Sequence, residues 1–384
     1  MATDLFVSHC TEIENPNSDI DLDSIQLIAK YSPPPQRHTV ITEDGYLVNL
    51  FRIPRKGPAV LMVHGIGDSS DSWLVTGPSS SLAYQLADLG YDIWLYNARG
   101  NKYSKGHIKN IPSKEYWDFS YEEMGALDMP AVVDHIISTT NQSKLYYVGF
   151  SQGTTLFLIM CSTKPEYNEK IKQAVLLAPV AWLDNTKYPF MDLFARNIHL
   201  IKSFLDGVGV YELFQNNELL KWFHAQVCRD GVPKRVLCEL EYVLSYGIKN
   251  FTNFNLERLP VIATHIPAGV STRTFVHFFQ TYLSKRFLRF DFDLDRNMAM
   301  YSSGQPPEFN VSLITAPINL FVSNSDWFST VKDTHRLRTM LPNIVSYVEY
   351  NQSLDFTHLE FVYGARTKSL VNDPVTQILL SDVY

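Results

Sequence analysis

Along the chain, short runs made almost wholly of apolar residues alternate with longer stretches in which apolar residues recur at helical spacing. Ala59 to Val63, Tyr91 to Tyr96, Leu145 to Gly149, Ala174 to Leu177 and Ile318 to Val322 have the length of buried strands. Strands covered on both faces lose the in-out alternation of half-exposed strands, so this pattern predicts an α/β fold, a mostly parallel central sheet with helices on both faces. Ahead of these runs, His38 to Thr42 and Tyr46 to Ile53 flank Glu43-Asp44-Gly45. That is the pattern of a β-hairpin whose glycine supplies a positive φ. Near the other end, Val331 to Met340 reads as a helix and Val345 to Tyr350 as a strand.

Two regions depart from the alternation. Residues 1–30 are acidic, polar and without periodicity, and Pro33-Pro34-Pro35 then forces an extended segment, so they read as a flexible N-terminal arm. Between Ala178 and Pro317 the chain is rich in aromatics and helical pattern but poor in strand-like runs. This is too long for a crossover between neighbouring strands and predicts an inserted helical cap or lid over residues 181–310, leaving 31–180 and 311–384 as the core.

Composition narrows the function. With 45% hydrophobic and 19% charged residues in 384, there is ample material for a buried core. A formal net charge of −7 without a Lys/Arg block lacks the electrostatic footprint of nucleic-acid binding. No stretch approaches eighteen apolar residues, so no transmembrane segment is expected. The sequence as written opens without a basic leader or apolar h-region, and so without a signal peptide. Cys228 and Cys238 are close enough for a short disulfide loop, and four free thiols fit the spacing equally well. Asn-x-Ser/Thr sequons at Asn141, Asn250, Asn310 and Asn351 are a weak sign of the secretory route.

The candidate chemistry centres on Gly149-Phe150-Ser151-Gln152-Gly153, which follows a strand and precedes the apolar helical run Thr154 to Met160. This is a G-x-S-x-G nucleophile elbow in its required context, and it specifies the α/β-hydrolase fold. So sharp a turn leaves no room for side chains two positions either side of the serine, hence Gly149 and Gly153. A serine hydroxyl is a weak nucleophile near neutral pH and needs a base, which in this fold follows the serine and the acid in chain order. Of the histidines beyond the likeliest acid strand, His335 lies within a helical run, whereas His358 sits in a loop after the last strand, where a base can be delivered to the serine. Asp326 comes just after Ile318 to Val322, at the carboxyl end of a strand where catalytic groups gather. Asp355 and Glu360 compete on sequence distance and read as solvated loop charges. The oxyanion donors would be the backbone N–H groups of Gln152 and of Ile66, in the loop His64-Gly65-Ile66-Gly67. Without H-E-x-x-H, P-loop, C-x-x-C or G-x-G-x-x-G, no metal or cofactor is expected.

From about residue 25 onward the chain also resembles the acid lipases related to gastric and lysosomal acid lipase. The resemblance is carried by Ile41-Thr42-Glu43-Asp44-Gly45-Tyr46, His64-Gly65-Ile66, Gly90-Tyr91-Asp92-Ile93-Trp94-Leu95 with Asn97, Arg99, Gly100 and Asn101, and Trp117-Asp118-Phe119-Ser120 with Asp128. Pro267-Ala268-Gly269 with Ser271, His277 and Gln280 is similar to a stretch of the family's cap. It implies Ser151 as nucleophile, the aspartate of Ser325-Asp326-Trp327 as acid and the histidine of Thr357-His358-Leu359-Glu360-Phe361 as base. It further implies a lid over the acyl pocket, a Cys228–Cys238 disulfide, glycosylation, a structural role for His277, and a secreted or lysosomal protein. The implied substrate is a neutral lipid, triglyceride or sterol ester, met at a lipid–water interface. The sequence departs from the family in three places: Phe150 stands where many members carry histidine, Ser323-Asn324-Ser325 replaces a glycine-rich version, and Glu360 replaces an aspartate.

The expected activity is therefore cleavage of fatty-acyl esters through an acyl-enzyme. Two alternatives remain: a catalytically silent lipid-binding or storage protein on the same fold, distinguished by a lost triad member, and an esterase for short soluble esters, distinguished by substrate preference. Oligomeric state leaves no mark in the sequence.

Overall fold

The structure, a computed structural model, describes residues 16–229, 235–248 and 250–381. Its centre is one sheet built from eight main strands: β1 (Gln36–Ile41), β2 (Tyr46–Ile53), β3 (Ala59–Val63), β4 (Asp92–Tyr96), β5 (Leu145–Phe150), β6 (Ile171–Leu177), β7 (Ile318–Ser323) and β8 (Ile344–Tyr350). They lie in the order β1-β2-β4-β3-β5-β6-β7-β8, and the two-residue strand Gly106–His107 pairs with β2. β1 and β2 form the antiparallel hairpin, β2 runs antiparallel to β4 and to Gly106–His107, and the remaining pairs are parallel. Gly45, at φ +94°, turns the hairpin.

The central strands divide their side chains between two apolar clusters, one on each face. In β3, Val60 and Met62 enter one cluster while Ala59, Leu61 and Val63 enter the other. In β5, Tyr146, Val148 and Phe150 go one way and Leu145 and Tyr147 the other. The period of two is thus present, but both faces are apolar because helices cover both.

The N-terminal segment corrects the sequence-based expectation of an arm running to residue 30. Residues 1–15 lie outside the described residues, but Ser24–Tyr31 forms a helix with a capping box between Asp23 and Gln26. Its Leu27 and Ile28 are buried in the core. Buried Asp19 pairs with Lys30 and Arg258, and Ser24 Oγ donates to Asp71. An eight-residue helix is too short to stand out among acidic neighbours, and Arg258 lies far from Asp19 in sequence, so neither was legible.

Between β6 and β7 lie the helices α1 (Met191–Arg196), α2 (Ile198–Gly207), α3 (Glu218–Val227), α4 (Arg235–Tyr246), α5 (Leu259–His265), α6 (Thr272–Ser284) and α7 (Leu294–Tyr301). α6 packs against α1 and α2, and α5 against α3. Val227, Cys228, Cys238, Tyr242 and the buried α5 share one apolar cluster with Leu27 and Trp73 of the core. Cys228 and Cys238 are joined in a disulfide, Cα–Cα 5.3 Å, which ties α3 to α4. Among the described residues, no helix is long and apolar enough to cross a membrane.

Candidate active site

The carboxyl ends of the parallel strands converge. Phe150 pairs with Leu177, Leu177 with Phe321, and Ser323 with Tyr350, so the loops after β5, β7 and β8 leave the sheet at one level. These loops carry Ser151, Asp326 and His358.

Ser151 occupies the elbow between β5 and the buried helix Gln152–Thr163 at φ +52°, ψ −117°, a strained position for a residue with a Cβ, costing on the order of 1–3 kcal/mol. Neighbouring contacts hold it there. Its N–H donates to Leu177 O at 3.0 Å. A Cβ at Gly149 would lie 2.9 Å from the Gly153 backbone, and one at Gly153 would lie 2.3 Å from Val63 O. Both glycines are therefore required by close approach.

The three side chains form a continuous hydrogen-bonded chain. His358 Nε2 is 2.8 Å from Ser151 Oγ, and His358 Nδ1 is 2.7 Å from Asp326 Oδ2. Asp326 is fully buried, and its Oδ1 accepts the N–H groups of Phe328 at 2.8 Å and Ser329 at 3.0 Å. With two amides on one oxygen and the imidazole on the other, the carboxylate is fixed and its charge dispersed. The imidazole contacts the rings of Phe150 and Phe328, at centroid distances of 5.1 and 5.2 Å.

The loop after β3 lies against the serine: a Cβ at Gly65 would sit 3.3 Å from Ser151 Cβ. Buried His64 holds its shape. Nε2 accepts the Ala98 N–H at 3.1 Å, so Nδ1 carries the proton and donates to Gly65 O at 2.7 Å. In a trans peptide this turns the Ile66 N–H away from the His64 ring. Burial lowers the His64 pKa to about 4, keeping the ring neutral and its two hydrogen bonds intact. Gln152, at the first turn of its helix, has an amide with no intrahelical acceptor; its side-chain Nε2 faces Met124 Sδ.

The other candidates fall elsewhere. His335 is exposed, 3.7 Å from Glu349. His277 is buried, stacked on Tyr121, hydrogen-bonded to Ser120 Oγ and Leu288 O, and held neutral by burial, which lowers its pKa to about 3. Asp355 is half-buried and makes no side-chain bond to His358. Glu360 corrects the expectation of a solvated loop charge. It is buried, accepts Thr357 N at 2.6 Å and Thr357 Oγ1 at 2.9 Å, and pairs with Arg366. Adjacency to His358 did not reveal that it caps the turn carrying the base. The His64 ring and the contacts of Phe150 and Phe328 with His358 were also missed. His64 stood beside Gly65 in the sequence, but ring orientation leaves no trace there.

All four sequon asparagines are exposed. Asn250, Asn310 and Asn351 each accept the N–H of the sequon's own Ser or Thr.

Strand order, elbow and converging loops define an α/β-hydrolase. The family profile described as "alpha/beta hydrolase fold" matches residues 58–211, and that described as "Partial alpha/beta-hydrolase lipase region" matches residues 25–77. Lipase 1 of Drosophila melanogaster is 37% identical over 369 residues, covering 95% of this chain and 81% of that protein. Lipase member K of Homo sapiens is 34% identical, with 91% and 88% covered, and gastric triacylglycerol lipase of Bos taurus 33% identical, with 95% and 93% covered. Among solved structures, the α/β-hydrolase GrgF from Penicillium sp. sh18 superposes with a TM-score of 0.52 at 17% identity, covering 90% of this chain and 97% of that one, which bears on the fold alone. The chain belongs to the acid lipase family of α/β-hydrolases, and it is a hydrolase.

Proposed function

We propose that the protein hydrolyses fatty-acyl esters of neutral lipids, triglycerides or sterol esters, through an acyl-enzyme on Ser151. His358 Nε2 takes the proton as Ser151 Oγ attacks the ester carbonyl, and Asp326 stabilises the imidazolium. The N–H groups of Ile66 and Gln152 receive the oxyanion of the tetrahedral intermediate. His358 then protonates the leaving alcohol, and a water molecule activated in the same way releases the fatty acid. The observation that carries this reading is the unbroken chain from Ser151 Oγ through His358 to the buried Asp326 carboxylate.

The lipid assignment draws support from the cap. Leu200 and Phe204 on α2 are 72% and 67% exposed, and Leu219 and Trp222 on α3 are 76% and 62% exposed. Large apolar side chains left exposed on two helices of the insertion favour an apolar partner, here the surface of a lipid droplet or emulsion. Gastric triacylglycerol lipase, by its name, acts on triacylglycerol. Residues 181–310 act as the cap over the acyl site. The disulfide and the exposed sequons favour an oxidising, secretory or lysosomal setting, and a glycosidase-sensitive mass shift of protein from secreting cells tests it.

Release of fatty acid from emulsified long-chain triglyceride by wild type, abolished in Ser151→Ala, is the expected result. Equal turnover by the two proteins would contradict it.

A further inference from the structure

Asp68 directly follows the loop that carries Ile66, and its buried carboxylate has no part in the acyl-transfer chemistry. One oxygen accepts the Ser69 N–H at 2.6 Å, and the other accepts the Tyr363 hydroxyl. Tyr363 closes the helical turn Glu360–Tyr363, which begins two residues after His358, and its N–H bonds back to Leu359 O at 2.8 Å. One carboxylate thus joins the loop beside the nucleophile to the turn carrying the base, across 295 positions of sequence. The same loop is held from the cap, where Ala268 N–H donates to Gly67 O at 2.7 Å. The backbone of Asp68 accepts Asn101 Nδ2 at 3.3 Å.

The charge on this carboxylate is poorly compensated. Burial raises its pKa to about 7, against the lowering by Tyr363 and Ser69. The titratable groups facing it are Tyr363 from the histidine turn, Asp71 and Lys102 from loops after β3 and β4, and Tyr242 and Tyr246 from α4. Lys102 Nζ is 2.6 Å from Asp71 Oδ2, so that cation is committed to Asp71. A clasp that needed only hydrogen bonds could be uncharged, which makes charge and geometry separable by substitution.

We propose that Asp68 and Tyr363 are positioning residues that fix the spacing between the Ile66 amide and His358 during acyl transfer. The proposal rests on the hydrolase reading given above. Tyr363→Phe leaves the ring and removes the hydroxyl. Because displacement of a catalytic group by about 1 Å costs roughly 100-fold, kcat on a soluble short-chain ester should fall roughly 10- to 100-fold, with KM nearly unchanged. Asp68→Asn can keep both bonds, its Oδ1 accepting Ser69 N–H and its Nδ2 donating to the Tyr363 oxygen, so it should retain most of kcat. The wild-type melting midpoint should fall relative to Asp68→Asn as pH rises from 5 toward 7 and level off above it, because over that range the unfolded chain has released the proton that the buried carboxyl keeps.

The experiment measures kcat, KM and melting midpoint for wild type, Ser151→Ala, Tyr363→Phe, Asp68→Asn, Asp68→Ala and the Asp68→Ala/Tyr363→Phe pair, from pH 5 to 8. Loss of kcat in Tyr363→Phe, retention in Asp68→Asn, and no further loss in the pair beyond Asp68→Ala support the clasp. Full kcat per folded molecule in Tyr363→Phe, or additive losses in the pair, overturn it while leaving the hydrolase reading intact. Wild-type turnover that survives Ser151→Ala strikes the hydrolase reading instead.

Discussion

The floor of the site and the helical insertion between β6 and β7, the proposed cap, treat apolar side chains in opposite ways. On the floor, every residue of β5 is buried and the helix Gln152–Thr163 is buried up to Ser162, so Ser151 is held at a strained φ by packing on all sides. On the cap, α2 buries Ile198 while Leu200 and Phe204 face outward, and α3 buries His224 and Val227 while Leu219 and Trp222 face outward. Tight packing fixes reacting atoms to within fractions of an ångström. Outward-facing apolar groups instead leave free energy to be released on meeting an apolar partner. On the proposed reading, the difference assigns catalytic geometry and lipid contact to separate parts of one chain.

If that division holds, substitutions on the floor should abolish chemistry without touching lipid contact. Ser151→Ala should lower hydrolysis of all esters by at least about 10⁴-fold with an unchanged melting midpoint. Asp326→Asn should lower kcat roughly 10³- to 10⁴-fold, since the Nδ1–H of His358 loses its ionised acceptor while both amide bonds to Oδ1 can persist. Both are read on soluble and emulsified substrate, and a loss on only one substrate would blur the comparison.

Changes in the cap should do the reverse. Replacing Cys228 and Cys238 together by serine opens a ten-residue separation and should destabilise the cap by about 3 kcal/mol, seen as earlier proteolysis between α3 and α4 with the floor still protected. Replacing Leu219 and Trp222 by glutamine should lower activity on emulsified long-chain ester roughly tenfold, the equivalent of about 1.4 kcal/mol of lost apolar contact. Activity on a soluble short-chain ester should stay the same; an equal loss on both substrates would mean that the cap shapes the chemistry as well.

The smallest effect at neutral pH belongs to the buried histidine that anchors the cap. His277 is held neutral with a pKa of about 3, below the ordinary 6.5. The unfolded chain therefore binds the extra proton first as pH falls below 6.5, and stability present above that pH is lost progressively toward 3. His277→Gln can donate to Leu288 O and accept from Ser120 Oγ without titrating. Its melting midpoint should fall less steeply between pH 7 and 5 than that of wild type.

The division between floor and cap also explains what could be read in the sequence. β3, β5 and β7 were legible because strands buried on both faces are written as unbroken apolar runs, and the elbow because both of its glycines flank the serine in one short motif, although Gly153 is required by the distant Val63 backbone. His358 and Asp326 followed from chain order and from loops at strand ends. What was not legible depended on distant partners: Asp19 with Arg258, Asp68 with Tyr363, Glu360 facing inward, and the proton placement of His64. Their side chains look like ordinary surface polar residues until the fold supplies the other half of each pair.

The most direct test of the central claim is titration with a long-chain alkyl phosphonate ester, which a serine activated by a histidine attacks to form a stable adduct. The account predicts one equivalent bound, located on the peptide containing Ser151 by mass spectrometry, with hydrolytic activity lost in proportion. Stoichiometric labelling elsewhere, or full activity in protein carrying the adduct on Ser151, would contradict it.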